Sequence, residues 1–366
     1  MSPFFLVVST LLYIQSYASQ ICERRTRLLA RASSSECDLY VVSGQDNLFE
    51  NYAFSDFRNL SNYSINWPSS ITAEEDQGGE NITSAYFAHP PFSDHWEIRR
   101  GIRNAESDVP MIYSAQNVYI SQDPSSDGSQ TYLTLRTTRL QDFQSVVQLV
   151  SRPDNLLHAS MRTRMKIISD GKDGDNVAGG AVVGFFTYES DTQESDIEVL
   201  TKHPSDIVEL STQPASSTTP GADASVTIPN GKDWTEWVEY RMDWFAGRNI
   251  WYLDEEMMLN STDSVPTEPS QLMLNLWSNG QSFSGRMRPG REVYVAVQWI
   301  EIAYNVSNQG QSLNQTDGLT QCLVDSVETK GIPEVIQNSS VTQSAVSTAL
   351  KMFGTIVLVL IAWYCT

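Results

Sequence analysis

An all-β sandwich of antiparallel sheets is the fold class the sequence predicts, and three observations predict it. From about Asp46 to Asn305 the chain reads as short β-type segments separated by turn clusters. No helical apolar period persists beyond two turns there, and strands do not alternate with helices as they would around a parallel sheet. The aromatic supply, nine Trp and fifteen Tyr in 366 residues, suits a β core and also suits stacking on sugar rings.

In chain order, the segments are Tyr132–Thr137, Ser145–Val150, Ser160–Ile167, Ala181–Tyr188, Trp237–Trp244, Asn249–Leu253, Leu272–Trp277 and Val293–Tyr304. Several alternate apolar and polar residues, the period-2 pattern of a strand with two unlike faces. Clusters such as PSSDGS (124–129) and SDGKDGDN (169–176) punctuate them with turn-forming residues. About 250 residues of unbroken strand spacing predict one large domain rather than two. The chain carries 24 Lys+Arg against 44 Asp+Glu, a formal charge of −20. That balance excludes nucleic acid as a partner, because phosphate binding needs a basic face. No GxGxxG, Walker, GxSxG, CxxC or HExxH pattern occurs, so no cofactor is expected and no structural calcium is indicated.

The two ends read as addresses. Pro3–Ile14 is an apolar run followed by Ser16-Tyr17-Ala18, the layout of a secretory signal peptide over 1–18. Residues 19–44 form an N-terminal segment, and 308–338, rich in Ser, Thr, Gln and Asn, read as a stalk. Met352–Cys365 is apolar to the last residue but one, behind a polar spacer and the small-residue stretch Asn338-Ser339-Ser340. This is the layout of a GPI-attachment signal over 339–366, with Asn338 as the expected attachment site, Ser339, Ser340 and Ser344 as alternatives, and a tail-anchored span as the rival reading. Seven Asn-x-Ser/Thr sequons fit a secreted glycoprotein. Of the cysteines ahead of the tail, both Cys37–Cys322 and Cys22–Cys37 pairings are allowed. The protein is expected to be a cell-surface monomer, held to the membrane or wall by its C-terminal lipid anchor.

The most informative segment is AVVGFFTYESDTQESDIEVL (181–200). A buried-strand run leads through a turn near Glu189–Thr192 to a second strand on which Glu194, Asp196 and Glu198 fall at i, i+2 and i+4. Period 2 puts the three carboxylates on one face and Ser195, Ile197 and Val199 on the other. In the bland reading this is a solvated strand face of an acidic protein. In the functional reading it is a glycosidase site, where one ionised carboxylate attacks and one protonated carboxyl donates.

At these residues the sequence resembles glycoside hydrolase family 16, marked by Glu-x-Asp-x-Glu on a strand, and is closest to a fungal, secreted branch. FENYAFSDFRNL (49–60), YLTLRTTR (132–139), STQP (211–214), WTEWVEYRMDW (234–244), WYLDE (251–255), PSQLMLNLWSNG (269–280), FSGRM (283–287) and VQWIEIAYN (297–305) follow in the family's order. The resemblance implies a concanavalin A-like β-jelly-roll over 45–307, acting on β-glucan polysaccharide at β-1,3 or β-1,3/1,4 bonds. It implies Glu194 as nucleophile, Glu198 as general acid/base and Asp196 as the residue that tunes them. Water as acceptor gives hydrolysis and a sugar hydroxyl gives transglycosylation; a third reading is a lectin-like β-glucan-binding wall protein. Trp277, Gln213, Trp237, Tyr188 and Phe283 are the expected substrate contacts. Trp96, Trp234 and Trp251 are further aromatics weighed for stacking, with Trp244, Trp251 and Trp299 favoured as core and Asp243 as structural. Three positions depart from the pattern: Ser195 where the wider family is aliphatic, Thr212 where the branch has Asn, and Phe283 where it has Trp. The last two are expected to touch the cleft.

Overall fold

Period-2 apolar patterning organises Phe49–Gln311 into two stacked, mostly antiparallel β-sheets. The computed structural model describes residues 37–42, 48–66, 68, 82–103, 106–124, 128–215, 221–307, 319–325 and 327–337. The expected leader, the C-terminal tail, Cys22, Asn338 and the sequons at Asn81 and Asn314 lie outside the described residues. Among the described residues, no helix is long and apolar enough to cross a membrane.

One sheet runs, neighbour to neighbour, through Trp96–Ile98, Gln144–Ser151, Gln271–Trp277, Val182–Ser190, Gln193–Leu200, Ile207–Gln213 and Asp223–Thr227. The other is built around the long strands Leu156–Ser169 and Glu292–Val306, flanked by Thr131–Arg139, Asn51–Asp56, Val238–Phe245 and Arg248–Leu253. Met111–Tyr113 beside Gln144–Val146 is a parallel exception.

The core lies between the sheets. Phe185, Ile197, Leu210, Leu272 and Leu274 come from the first; Met161, Trp244, Trp251, Leu253 and Val295 come from the second. All are buried, and each large apolar side chain so removed from water contributes about 1.5–3 kcal/mol. Trp96, Trp234, Trp244, Trp251 and Trp299 are core residues. Asp243 is fully buried and structural: it accepts from Ser160 Oγ at 2.6 Å and Arg241 Nε at 2.8 Å. A buried carboxylate needs such donors to offset its lost hydration.

Residues Met1–Leu48 and Ser312–Thr366 group as a second unit. In it, Leu39–Val41 pairs in parallel with Gln321–Leu323, which pairs antiparallel with Glu334–Gln337. The bridge formed is Cys37–Cys322, with Cα atoms 5.7 Å apart. Part of the expected stalk is therefore ordered strand. Thr320, Cys322 and Val324 turn inward at alternate positions, a period too short to stand out in a Ser/Gln-rich stretch.

Candidate active site

The hairpin Val182–Ser190/Gln193–Leu200 sits in the middle of the first sheet, and its register builds the site. Glu194 faces Tyr188, Asp196 faces Phe186 and Glu198 faces Gly184. On the other side, Glu194 pairs with Gln213, Asp196 with Ser211 and Glu198 with Glu209. Because side chains alternate, these residues share the outer face, while Ser195, Ile197 and Val199 enter the core and are fully buried. Glu194, Asp196 and Glu198 line one cavity of about 830 Å³, together with Tyr188, Phe186, Trp277, Asn275, Gln148, Arg99 and Arg103.

The core-facing side fixes the strand from behind. Asn249 Nδ2 donates to Ser195 Oγ at 2.6 Å, and Trp251 Nε1 donates to the Asp196 carbonyl at 3.0 Å. Gly184 is required opposite Glu198: a Cβ there would meet Asn275 Oδ1 at 2.8 Å, and its N–H donates to that same oxygen at 3.1 Å. Backbone and amide lie close at this point, so nothing protrudes in front of Glu198.

The carboxylates are held unequally. Asp196, only 3% exposed, accepts from Ser211 Oγ at 2.7 Å and Gln213 Nε2 at 3.3 Å. Burial pushes its carboxyl up to about 6, against hydrogen bonds from Ser211, Gln213 and Glu194 that pull the other way. Burial, then the charge of Asp196 and a hydrogen bond shared with it, raise Glu194 to about 9. Burial and the charges of Asp196 and Glu209 raise Glu198 well above the usual range, opposed by Arg103. Like charges this close in a poorly solvated groove cannot all ionise. At neutral pH the trio therefore keeps protons, one of them shared between Glu194 and Asp196.

Of the expected substrate contacts, Tyr188 and Trp277 line the cavity. Tyr188 donates its OH to Asp191 at 2.9 Å, and its phenol is raised to about 12 by burial and by neighbouring acids, Asp191 foremost. Trp277 stacks on Phe283, centroids 6.3 Å apart and planes 17° off parallel, and carries the Arg103 guanidinium 4.7 Å from its ring centre. Phe283 is 46% exposed, at the edge of this stack. Gln213 is on the cleft face, but its amide is committed to Asp196, Ser211 and the Ala215 N–H.

Two expectations are corrected. Trp237 is not among the cavity's lining residues. It precedes the strand Val238–Phe245 of the other sheet, where its ring meets Tyr132 and the Lys166 ammonium. Thr212 does not touch the cleft: it lies a residue out of phase with Ser211 and Gln213, is fully buried, and donates to the Asp263 carbonyl at 2.7 Å.

Sequence reasoning missed Arg103, Tyr113, Gln148, Phe186, Ser211 and Asn275. For Phe186, Ser211 and Asn275 a signal existed, since each lies two residues along its strand from an expected contact, Tyr188, Gln213 and Trp277 in turn. The others reach the site only through pairing between distant strands.

Two glutamates flanking an aspartate on the floor of a groove in a two-sheet β-sandwich place the protein among the glycoside hydrolases. The family model for glycosyl hydrolases family 16 matches residues 106–300, more than half of the chain. The chain belongs to that family. It is 26% identical over 133 residues to the "Beta-glucanase" of Paenibacillus polymyxa, covering 34% of this chain and 54% of that protein. It is likewise 26% identical over 129 residues to the "Beta-glucanase" of Bacillus amyloliquefaciens, covering 33% and 52%. The chain spans about half the length of the curated relatives it matches. Among solved structures, the Bacillus licheniformis β-glucanase superposes with a TM-score of 0.45 at 21% identity, covering 58% of this chain and 92% of that one. The endo-β-1,3-glucanase of Pyrococcus furiosus gives 0.47 at 14% identity, covering 74% and 99%.

Proposed function

We propose that the protein is a retaining, endo-acting β-glucan hydrolase that cuts β-1,3 or β-1,3/1,4 bonds through a glycosyl-enzyme. The observation that carries this reading is the unequal holding of three carboxylates along one groove-lining strand. Glu198 keeps its proton and gives it to the leaving glycosidic oxygen. Glu194 attacks the anomeric carbon, after the proton it shares with Asp196 passes to Asp196. Ser211 and Gln213 hold the Asp196 carboxyl in place beside Glu194 on the same face, and its burial favours the protonated form that the exchange needs. In the second half, Glu198 removes a proton from water, which attacks the anomeric carbon while the bond to Glu194 breaks. Two inversions give net retention. General acid/base help of this kind is worth about 10²–10⁴ in rate. Trp277, backed by Arg103 and Phe283, offers a platform for a sugar ring.

The fungal cell-surface setting belongs to the same proposal, supported by the leader-like start, the anchor-like end and the sequons. Asn59, Asn62 and Asn260 are exposed. The Cys37–Cys322 bridge fits an oxidising compartment.

The test is product analysis on laminarin and lichenan, with the anomeric configuration of the first product followed by NMR. Retained β-configuration and internal cleavage, both absent in Glu194→Gln, are expected. Inverted product, or no product from any β-glucan, would overturn the proposal.

A further inference from the structure

Each acid on the strand Gln193–Leu200 has a cross-strand neighbour on Ile207–Gln213, and the neighbours differ in kind. Glu194 faces Gln213 and Asp196 faces Ser211, two hydrogen-bonding partners without charge. Glu198 instead faces another acid, Glu209. Like charges directly opposite across a sheet are destabilising, yet here the second acid is fixed in place. His203 Nδ1 lies 2.9 Å from Glu209 Oε1, and Ser225 Oγ donates to Oε2. A carboxylate only accepts, so the imidazole donates from Nδ1. Glu209 is not among the residues lining the cavity.

We infer that Glu209, clamped by His203 and Ser225, is a positioning residue that keeps the proton on Glu198 and so sets the alkaline limit of the reaction. The inference rests on Glu198 being the acid/base of the reading above. The charge of Glu209 acts on Glu198 in the same direction as burial and Asp196. The other groups facing Glu198 are few. Asp196 is on its own strand, Gly184 and then Asn275 carry no charge, and Arg103 opposes from the groove wall. Glu209 is thus the one negative charge near Glu198, among those that raise it, that does not itself line the groove. Cross-strand carboxylates separated by roughly 6 Å in partly screened surroundings alter one another's ionisation by about one pH unit.

The test is the pH dependence of kcat/KM for Glu209→Gln, using two substrates. The first is a β-glucan oligosaccharide with a sugar leaving group, which needs the Glu198 proton. The second carries a dinitrophenyl leaving group, which departs without it. The expected result is an alkaline limb about one unit lower on the first substrate, unchanged rates on the second, and return towards wild type in Glu209→Asp, which keeps the charge. An unmoved limb, or an equal loss on both substrates at every pH, would overturn the inference. Should wild type turn over neither substrate, the glycosidase reading fails by itself. The inference is then decided by a carbon-13 titration of the Glu198 carboxyl, expected to fall in Glu209→Gln and contradicted if it does not.

Discussion

Glu194→Gln should make the protein inactive and yet harder to unfold, in a pH-dependent way. Both Glu194, raised to about 9, and Asp196, raised to about 6, bind protons more tightly in the folded chain than in the unfolded one. The stability this provides is fully present below the unfolded values near pH 4. It is lost as pH rises through the folded values, because the unfolded chain gains by ionising. The rise of Glu194 from 4.5 to about 9 alone corresponds to about 5 kcal/mol lost between pH 4 and pH 8. An amide at position 194 cannot ionise in the unfolded chain, adds no charge to the trio, and still donates a hydrogen bond to Asp196. Most of that sum should return at pH 8, raising Tm by about 10–15 °C for a domain of this size, while the loss due to the buried Asp196 stays. Thermal unfolding of wild type and variant, followed by circular dichroism at pH 4 and pH 8, measures it. A lower Tm for the variant at pH 8, or the same gain at both pH values, would refute the reasoning.

Other outcomes follow from the same geometry. Glu198→Ala should lower kcat/KM on polymeric glucan by about 10³-fold but spare kcat/KM on a dinitrophenyl glycoside, whose leaving group needs no proton, while kcat on the glycoside falls because water loses its base; steady-state kinetics on both substrates will tell. Ser211→Ala removes the shortest hydrogen bond to Asp196, so the Asp196 carboxyl should rise further and the acidic limb of the pH–rate profile should move upwards. Trp277→Ala takes away the ring that joins Arg103 to Phe283; KM should increase about tenfold, with kcat falling less.

The strand with the three acids was legible because alternation is a local property: Glu194, Asp196 and Glu198 could share a face only as a strand, and the structure puts them there. The same rule, applied one strand further on, would have turned Thr212 inward beside Ser211 and Gln213. The reading there instead followed family position. Trp237 failed for another reason. Its segment is a strand, as expected, but nothing local tells which of two sheets a strand joins, and that choice decides whether an aromatic meets substrate or Lys166. Glu209 and Arg103 were invisible for a third reason, since their importance comes from pairing register and from a groove wall built by distant segments. The strands at Gln321–Leu323 and Glu334–Gln337 escaped notice because they are short and sit in polar sequence.

Trapping with a 2-deoxy-2-fluoro β-glucosyl substrate, followed by peptide mass spectrometry, bears most directly on the central claim. A fluoroglycosyl adduct on Glu194, formed by wild type and absent from Glu194→Gln, is the predicted result. An adduct on Glu198 or Asp196, or turnover without any covalent species, would contradict it.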